Sequence, residues 1–369
     1  MLTVHAITDR NTWNDTLREL PYAHVLQSWE WGAFKQATTG WEPQRIAYKR
    51  GAEVVAMASV GVRKVGPLRV MYAPKGPALQ YSDPEITAAV LDDLQARAHR
   101  AGAVWLKIDP DAVAGRGVPG EDDAETDPVG TLLTDELTAR GWRFSDEQPQ
   151  FRNTVKIDLT QSEDDILMAM SGNTRRKVRQ AYKKDVTIRP GSVDDLETLY
   201  DLYTTTGDRN DFITRPLSYY RQAWSAFMEA GLAHPLIAEY DGQAIAHVIL
   251  FHFGQTCWYF YGASANHERK RMPNYALQWE AMQWAKAQGY TVYDMWGAPN
   301  TFNEHDSMWG VYQFKSGFRG TVVRHIGAWD YAPYPPLYWG YTQMMPRVIG
   351  WMRGREGRDN GEGNGISDE

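Results

Sequence analysis

Hydrophobic and polar positions alternate in two long segments of this chain, residues 45–79 and residues 236–265. Each segment turns early at a glycine, Gly51 in the first and Gly242 in the second, and then continues in the same alternating pattern. An alternation of period two predicts β-strands, and a glycine-containing turn between strands predicts a hairpin. The segments start 236 − 45 = 191 residues apart, so the sequence predicts two copies of one three-stranded unit.

The elements that follow these strands are repeated as well. A helical pattern covers residues 84–101 and residues 274–288, and each ends beside a glycine, which is a common helix stop signal. A further apolar strand comes next, "AVWLKIDP" in the first half and "YTVYDMWG" in the second. The sequence therefore predicts an α/β protein with mixed sheets, in which residues 1–150 form a first domain and residues 151–330 a second.

Three segments lie outside this repeat. Residues 113–131 are acidic and rich in glycine and proline, which predicts a solvated loop. Residues 331–352 are aromatic and partly helical, and we expect them to dock back on the first domain, with contact to a membrane surface as the alternative. The polar residues 353–369 predict a disordered tail.

Composition narrows the classes of function. The 369 residues include 39 Lys and Arg against 46 Asp and Glu, and a net charge of 39 − 46 = −7 argues against general coating of nucleic acid. The single Cys257 cannot form an internal disulfide or a zinc cluster, and the histidines show no ligand spacing, so no metal site is predicted. We find no signal-peptide pattern and no uninterrupted membrane-spanning run, so we expect a cytoplasmic protein, with contact to the membrane surface left open.

One segment, residues 173–184, is strongly basic although the chain as a whole is acidic. If residues 173–184 are helical, with Asn173 or Thr174 as the N-cap, four of their cations fall within an arc of about 100°. Arginines in a first helical turn are unfavourable, because they face the positive end of the helix dipole. A solvated amphipathic helix is the alternative, but this arrangement favours a helix that binds phosphate. The cations of the segment are Arg175, Arg176, Lys177, Arg179, Lys183 and Lys184.

Eight stretches, in order along almost the whole chain, carry a resemblance to a known family. They are "LQSWEWGAFKQATTGWEP", "YAPKGPAL", "KIDPD", "NTRRKVRQAYKKDV", "FITRPLSYY", "WYFYGAS", "PNYALQWEAMQWA" and "VYQFKSGF". As an ordered set they resemble the FemABX family, whose members transfer amino acids from aminoacyl-tRNA to peptidoglycan precursor peptides. The resemblance implies two acetyltransferase-like (GNAT) domains in tandem, of the shorter FemX-like type without a helical-hairpin insertion.

The same resemblance implies the partners of the protein. Aminoacyl-tRNA is the expected co-substrate, no separate cofactor is expected, and the acceptor is a UDP-linked or lipid-linked peptidoglycan precursor. Acetyltransferases of this fold hold the pyrophosphate of coenzyme A in a glycine-rich loop at a helix N-terminus. At the matching position, residues 271–276, Asn274 replaces the central glycine and Pro273 removes one amide. These departures argue against coenzyme A as the donor.

Two residues are expected to take part in the chemistry. Lys315 matches a lysine that the family requires, and its position among aromatic residues predicts a side chain that projects from a strand end or a turn. A fixed ammonium there would face a developing oxyanion or the ribose–phosphate of the tRNA. Asp109 matches a family carboxylate near the acceptor peptide, where it could steer the incoming ammonium and receive its proton.

Five further residues are expected to bind the precursor. Lys35 and Arg215 match the family positions that hold its pyrophosphate, and an arginine suits that task because it donates two parallel hydrogen bonds. Tyr219, Tyr259 and Tyr261 match ring positions along the peptide cleft, and the last two are two residues apart, which predicts one face of one strand. Two other functions remain alternatives: a coenzyme A-dependent N-acyltransferase and a non-catalytic module that binds tRNA or precursor.

Overall fold

The structure is a computed structural model that describes residues 2–210 and 212–343. The chain up to residue 144 forms, in order, β1 (Thr3–Ala6), α1 (Arg10–Arg18), α2 (Trp29–Thr39), β2 (Glu42–Arg50), β3 (Glu53–Val65), β4 (Leu68–Ala73), β5 (Ala78–Leu79), α3 (Pro84–Arg100), β6 (Ala103–Ile108), β7 (Val113–Arg116), β8 (Glu125–Thr126), α4 (Pro128–Ala139) and β9 (Arg143–Phe144).

The remaining described residues repeat this organisation. They form, in order, β10 (Asn153–Asp158), α5 (Glu163–Ala169), α6 (Gly172–Lys183), β11 (Thr187–Pro190), α7 (Leu196–Asn210), α8 (Leu217–Glu229), β12 (Ala233–Tyr240), β13 (Gln243–Phe253), β14 (Thr256–Ser264), α9 (Pro273–Ala287), β15 (Val292–Ala298), α10 (Trp309–Ser316), β16 (Thr321–His325) and β17 (Trp329–Tyr331). Residues 335–343 are helical.

The strands assemble into two mixed sheets. The first follows the order β1-β2-β3-β4-β6-β17-β9, with β5 beside β3, and the second follows β11-β12-β13-β14-β15-β10-β16-β7-β8. In both sheets three antiparallel strands lead through a helix to a parallel partner, β4 with β6 and β14 with β15. The repeat predicted from the sequence is thus present, and the α/β fold class with mixed sheets is confirmed.

The two copies differ in the length over which their parallel strands pair. The β4–β6 pairing runs from Arg69 and Ala103 to Ala73 and Ile108, the ends of both strands. The β14–β15 pairing stops at Trp258 and Asp294, so residues 259–264 and 295–298 diverge. Each diverging strand has a bulge on its other edge, and bulges bend a strand away from its neighbour. The second sheet is therefore open at this point, whereas the first is closed.

Sheet membership crosses the predicted domain boundaries. The segment expected to be a solvated loop contributes β7 and β8, which extend the edge of the second sheet beside β16. That prediction is wrong for residues 113–116 and 125–126, which pair as strands, and for residues 128–131, which begin α4. Residues 117–124 connect the two strands through turns. In the opposite direction, β17 returns to the first sheet between β6 and β9.

We call the parts of the chain that build the first and the second sheet the first and the second module. The end of the described chain contacts the first module. Tyr338 donates a hydrogen bond to Asp330 at 3.0 Å, and Tyr334 donates one to the carbonyl of His99 at 3.4 Å. Residues 344–352 and the expected tail at 353–369 lie outside the described residues. Within residues 2–210 and 212–343, no helix is both long and apolar enough to cross a membrane.

Among the described residues, three large clusters of buried apolar side chains hold the fold together. One lies within each module, and the third joins the modules through residues of both halves, among them Trp13, Phe34, Trp224, Phe251 and Trp258. Burial of large aromatic side chains is the main favourable term at such a contact. The two modules are consequently fixed against each other, and residues from both can contribute to one site.

Candidate active site

A cleft of about 480 Å³ lies on one face of the first sheet. Alternate residues of a strand point to the same face, and the floor of the cleft follows this rule on three neighbouring strands. The wall comes from α2, from residues 147–150 and, from outside the first module, from Arg215 and Tyr341. The floor residues are Ser59, Gly61 and Arg63 of β3, Val70 and Tyr72 of β4, and Trp105 and Lys107 of β6.

Two predicted precursor-binding cations meet at one end of this cleft. Lys35 lies in the middle of α2, which is capped by Ser28 at its N-terminus and by the left-handed Gly40 at its C-terminus. Its Nζ donates to the hydroxyl of Tyr219 at 2.9 Å, and the guanidinium of Arg215 lies 4.7 Å from the ring of the same tyrosine. The structure therefore brings Lys35, Arg215 and Tyr219 together from two modules.

The electrostatics of this group fit an anion site. Burial, and then the nearby Arg215, lower the pKa of Lys35 to about 8. Among the described residues, neither cation forms an ion pair with a carboxylate. Two neighbouring positive charges without a counter-charge repel each other, and an arriving phosphate relieves that repulsion.

Asp109 lies beneath the cleft floor, 3% exposed, at the end of β6. One carboxylate oxygen accepts from the backbone N–H of Lys75 at 2.5 Å, and the other accepts from the hydroxyl of Tyr72 at 2.7 Å. Burial raises the pKa of Asp109 to about 6, although Lys75 and these hydrogen bonds oppose the rise. Asp109 does not line the cleft itself, and its contact with the cleft runs through Tyr72.

Lys75 connects this carboxylate to the second module. Its side chain is 4% exposed, its Nζ lies 3.0 Å from Asp111, and the same Nζ donates to the carbonyl of Phe151 at 3.3 Å. Burial alone would lower the pKa of Lys75, but Asp111 and Asp109 outweigh it and raise the pKa. The Nζ also lies 5.9 Å from the ring of Trp296, at the open end of β15.

Lys315 occupies the opening between β14 and β15. It is 3% exposed, and its Nζ donates to the carbonyls of Trp296 at 3.0 Å and Gly297 at 2.5 Å, both in the diverging part of β15. The ring of Tyr259, in the diverging part of β14, lies 5.8 Å away. Burial lowers the pKa of Lys315 to about 7, against the attraction of Asp294.

The expected local structure around Lys315 is wrong. The residue lies in the last turn of α10, which ends at Ser316, and not at a strand end or turn. The run "VYQFKSGF" does not distinguish a helix from a strand, because its aromatic residues can pack against neighbouring side chains from either element. In the structure Tyr312 packs on Phe302, and Phe314 packs on Tyr275. A helix places the lysine beneath the strand opening with its side chain enclosed.

Tyr259 and Tyr261 do not share a face, contrary to the prediction. Ile249 pairs with Tyr261 and the next residue, Leu250, pairs with Tyr259, so Phe260 is the extra residue of a β-bulge. A bulge shifts the alternation by one residue and sends the two tyrosines to opposite sides. Tyr259 lies in the core near Lys315, whereas Tyr261 packs 5.5 Å from Trp224 in the aromatic cluster between the modules. Their role as precursor contacts remains a prediction.

The basic segment is a helix, α6, but its N-cap is Ser171 and not Asn173 or Thr174. Arg175 donates to the carbonyls of Met168 and Met170 at 2.5 Å each, and these carbonyls close the preceding helix. A cation at a helix C-terminus is favourable, so this first-turn arginine has a structural task that the sequence argument did not foresee. Lys177 donates to Tyr275 at 2.9 Å, and Lys184 to the carbonyl of Lys270 at 2.6 Å.

Three cations of α6 remain on its outer face. Arg176, Arg179 and Lys183 are exposed and line an open groove of about 490 Å³ along the helix. Within residues 2–210 and 212–343 none of them pairs with a carboxylate, although Arg176 donates to Asn173 at 2.8 Å. The helix packs on α9, which follows the open strand β14. A basic surface thus lies beside the element that leads to the opening.

The N-terminus of α9 is the place where a GNAT protein would hold coenzyme A. Pro273 has no amide hydrogen, and the amide of Tyr275 donates to the carbonyl of Met272 at 3.1 Å. Arg271 pairs with Glu268 at 2.5 Å, donates to the carbonyl of Lys184 at 2.6 Å and lies over the ring of Tyr240. These groups are already engaged and are poorly placed to receive a pyrophosphate.

Sequence reasoning missed several residues of the site. Tyr72 and Lys75 fall within the quoted stretch "YAPKGPAL", and the alternation of polar with apolar residues on β3, β4 and β6 could have identified the cleft floor. Trp31 lines the cleft as well, and the Nζ of Lys35 lies 4.8 Å from its ring. An aromatic residue one turn before a lysine on a helix is the signal that could have found it.

Comparison with solved structures defines the class of protein. The chain is similar to the crystal structure of FemX, with 25% identity, a TM-score of 0.81 and coverage of 91% of this chain and 99% of that one. It shares the fold of a tandem GNAT protein from the clavulanic acid biosynthesis pathway, at 12% identity and a TM-score of 0.53, over 90% of this chain and 99% of that one. The protein thus has the fold of the tandem GNAT-like proteins.

Within that class, the chain belongs to the FemAB family, whose model matches residues 9–243 and 229–345. A curated relative is the Lipid II:glycine glycyltransferase of Staphylococcus aureus (strain USA300). The two sequences are 26% identical over 398 aligned positions, which cover 89% of this chain and 92% of the relative. The predicted family and the prediction of an acyltransferase are confirmed.

Proposed function

We propose that the protein transfers an amino acid from aminoacyl-tRNA to an amine of a peptidoglycan precursor peptide. The observation that carries this proposal is Lys315, buried at the opening of β14 and β15 and bonded to the carbonyl of Trp296, in a protein that also has a cleft lined by Lys35 and Arg215. One relative is named for lipid II and glycine, which supports a lipid-linked acceptor and a place of action near the membrane. The transferred amino acid stays open.

The reaction requires the protein mainly to position the two substrates against each other. An aminoacyl ester is already activated, so the acceptor amine can attack it without a covalent enzyme intermediate. A negative charge develops on the ester oxygen during the attack, and a fixed ammonium stabilises that charge best where water is excluded. Lys315 offers an ammonium held by two backbone carbonyls in a buried position.

The basic surface of α6 supports tRNA as the donor. Arg176, Arg179 and Lys183 face outward along the helix that packs on α9. Phosphate contacts of this kind fix the position of a nucleic acid without reading its sequence.

We expect no useful affinity for acetyl-coenzyme A. The N-terminus of α9 has lost one amide to Pro273 and another to an internal hydrogen bond, and Arg271 is bound to Glu268. Titration calorimetry checks this prediction. Micromolar binding that disappears in Arg271→Ala would instead favour the coenzyme A-dependent acyltransferase.

Lys35→Ala and Arg215→Ala should each raise the KM for the precursor by about tenfold to a hundredfold and change kcat little. A charge-assisted hydrogen bond to a phosphate is worth about 1.5–3 kcal/mol, and it is made equally in the ground state and the transition state. Steady-state kinetics with a UDP-linked precursor measure both constants. Arg221→Ala, at an exposed arginine of α8 that pairs with Glu197, is the matched control. An unchanged KM in both variants would remove this end of the cleft from the proposal.

A transfer experiment tests the function as a whole. The protein is incubated with mixed charged tRNA and with UDP-linked or lipid-linked precursor, and the precursor is then weighed by mass spectrometry. We expect the precursor to gain the mass of one amino-acid residue, and that mass identifies the amino acid. If neither precursor changes mass although the protein is folded, the proposed activity is wrong.

A further inference from the structure

Tyr72 stands between the cleft and Asp109. Its side chain lines the cleft, while its hydroxyl donates to one oxygen of Asp109 at 2.7 Å. Gln150, which also lines the cleft, donates to the same hydroxyl at 3.4 Å. The hydroxyl is thus held between a cleft residue and a buried carboxylate, with its proton directed at the carboxylate.

Asp109 cannot meet a substrate directly. It is 3% exposed, and its second oxygen is taken by the backbone N–H of Lys75. Lys75 adopts a left-handed backbone conformation, with φ at 51°, which presents that N–H while its side chain turns to Asp111. Among the described residues, Tyr72 is the hydrogen-bond partner of Asp109 that lines the cleft.

Resting on the proposed function, we propose that Tyr72 is a catalytic residue that contacts the acceptor amine, and that Asp109 is its positioning residue and proton acceptor. The acceptor arrives as an ammonium, R–NH₃⁺. Its proton passes to the oxygen of Tyr72 as the proton of Tyr72 passes to the carboxylate of Asp109, which leaves a neutral amine, an intact phenol and a carboxylic acid.

The amine then forms the C–N bond with the ester carbonyl, and the C–O bond to the tRNA ribose breaks. The second proton of the nitrogen goes to the leaving ribose oxygen, and Asp109 later returns its proton to solvent. Atoms and charge balance: one ammonium and one ester become one amide, one alcohol and one proton.

The environment fits a relay and not a free tyrosinate. Burial, followed by the charge of Asp109, raises the pKa of Tyr72 well above its ordinary value. The phenol therefore gives up its proton only while it receives another. The charged groups that face the pair are Lys75 and Asp111 on the buried side and Glu147 on the cleft side.

Tyr72→Phe tests the relay, because it removes one oxygen and keeps the ring. With charged tRNA and UDP-linked precursor, we expect kcat to fall by about a hundredfold or more and the precursor KM to stay within about twofold. Tyr48→Phe is the matched control, since Tyr48 is buried in the same sheet and also donates to an aspartate, Asp93, at 2.9 Å. That variant should keep the wild-type kcat.

Asp109→Asn supplies an independent readout. The amide can still accept from Lys75, but it cannot take a proton, so kcat should fall as in Tyr72→Phe. The double variant should be no slower than either single variant, because the two groups act in one transfer. In the wild type kcat should rise with pH through about 6, where Asp109 ionises, and Asp109→Asn should lose this rise.

The outcomes separate the relay from the function on which it rests. If the wild type transfers no amino acid, the proposed function is wrong. If the wild type is active and Tyr72→Phe keeps its kcat, or the two losses multiply in the double variant, the relay is wrong. A loss in Tyr72→Phe that comes with a lower melting temperature, while Asp109→Asn is stable and fully active, contradicts the relay as well.

Discussion

Lys315→Met should lower kcat by about a hundredfold to a thousandfold and leave the precursor KM nearly unchanged. Methionine keeps the length of the side chain and removes the ammonium that is held at the opening of β14 and β15. The charge is needed mainly when the oxyanion and the leaving ribose develop, so its loss affects the transition state more than the bound ground state. Steady-state kinetics with saturating charged tRNA measure the effect.

Lys286→Met is the matched control for this variant. Lys286 also donates its Nζ to a backbone carbonyl, that of Leu159 at 2.8 Å, but it lies on α9 away from the opening. The control should keep the wild-type kcat, whereas near-normal turnover in Lys315→Met would refute the role of Lys315. Lys315→Ala should behave as Lys315→Met does.

The same lysine predicts a dependence on pH. Its pKa is about 7 in the folded protein, against 10.5 ordinarily, so between these values the unfolded chain binds more protons than the folded one. The contribution of Lys315 to the free energy of unfolding therefore rises with pH between about 7 and 10.5. Lys315→Met should abolish this rise. In the wild type, kcat should fall as pH rises through about 7, because the ammonium loses its proton.

Changing Arg176 and Arg179 together to Gln should flatten the salt dependence of tRNA binding by roughly one to two units of log–log slope. Both residues are exposed on α6 and, within the described residues, unpaired with carboxylates, so bound phosphates would replace their counterions. The effect should be similar for tRNAs of different sequence, because phosphates carry no base identity. Binding titrations over a range of salt concentrations give the slope.

Two comparisons make that result specific. Arg50 and Arg100 lie on the first module, and Arg50→Gln with Arg100→Gln removes the same charge without touching α6. This control should keep the wild-type slope, and the α6 variant should keep its precursor affinity. An unchanged tRNA slope together with lost binding to anionic vesicles would show that α6 faces a membrane and not tRNA.

The repeated α/β organisation could be predicted from the sequence, because local patterns determine it. The strands of residues 45–79 and 236–265 are rich in apolar residues, and their turns carry glycines at the positions where the chain reverses. The prediction that Lys35 and Arg215 share one site rested on the family resemblance and not on their spacing. The two residues are far apart in the sequence, and they are brought together only by the packing of α2 against α8.

The details that sequence could not supply depend on tertiary contacts. A single extra residue, Phe260, reverses the faces of Tyr259 and Tyr261, and no composition signal marks such a bulge. The segment that contains β7 and β8 joins the second sheet because β7 pairs with the edge of β16. The divergence of β14 and β15 similarly depends on bulges in pairings that are distant in the chain.

The donor is the most direct test of the account. The protein is given one precursor, aminoacyl-tRNA and acetyl-coenzyme A together, and the product is weighed with and without prior digestion of the tRNA by ribonuclease. We predict that the precursor gains an amino-acid residue, that ribonuclease abolishes the gain, and that no acetyl group is added. Acetylation that persists after ribonuclease treatment would contradict it.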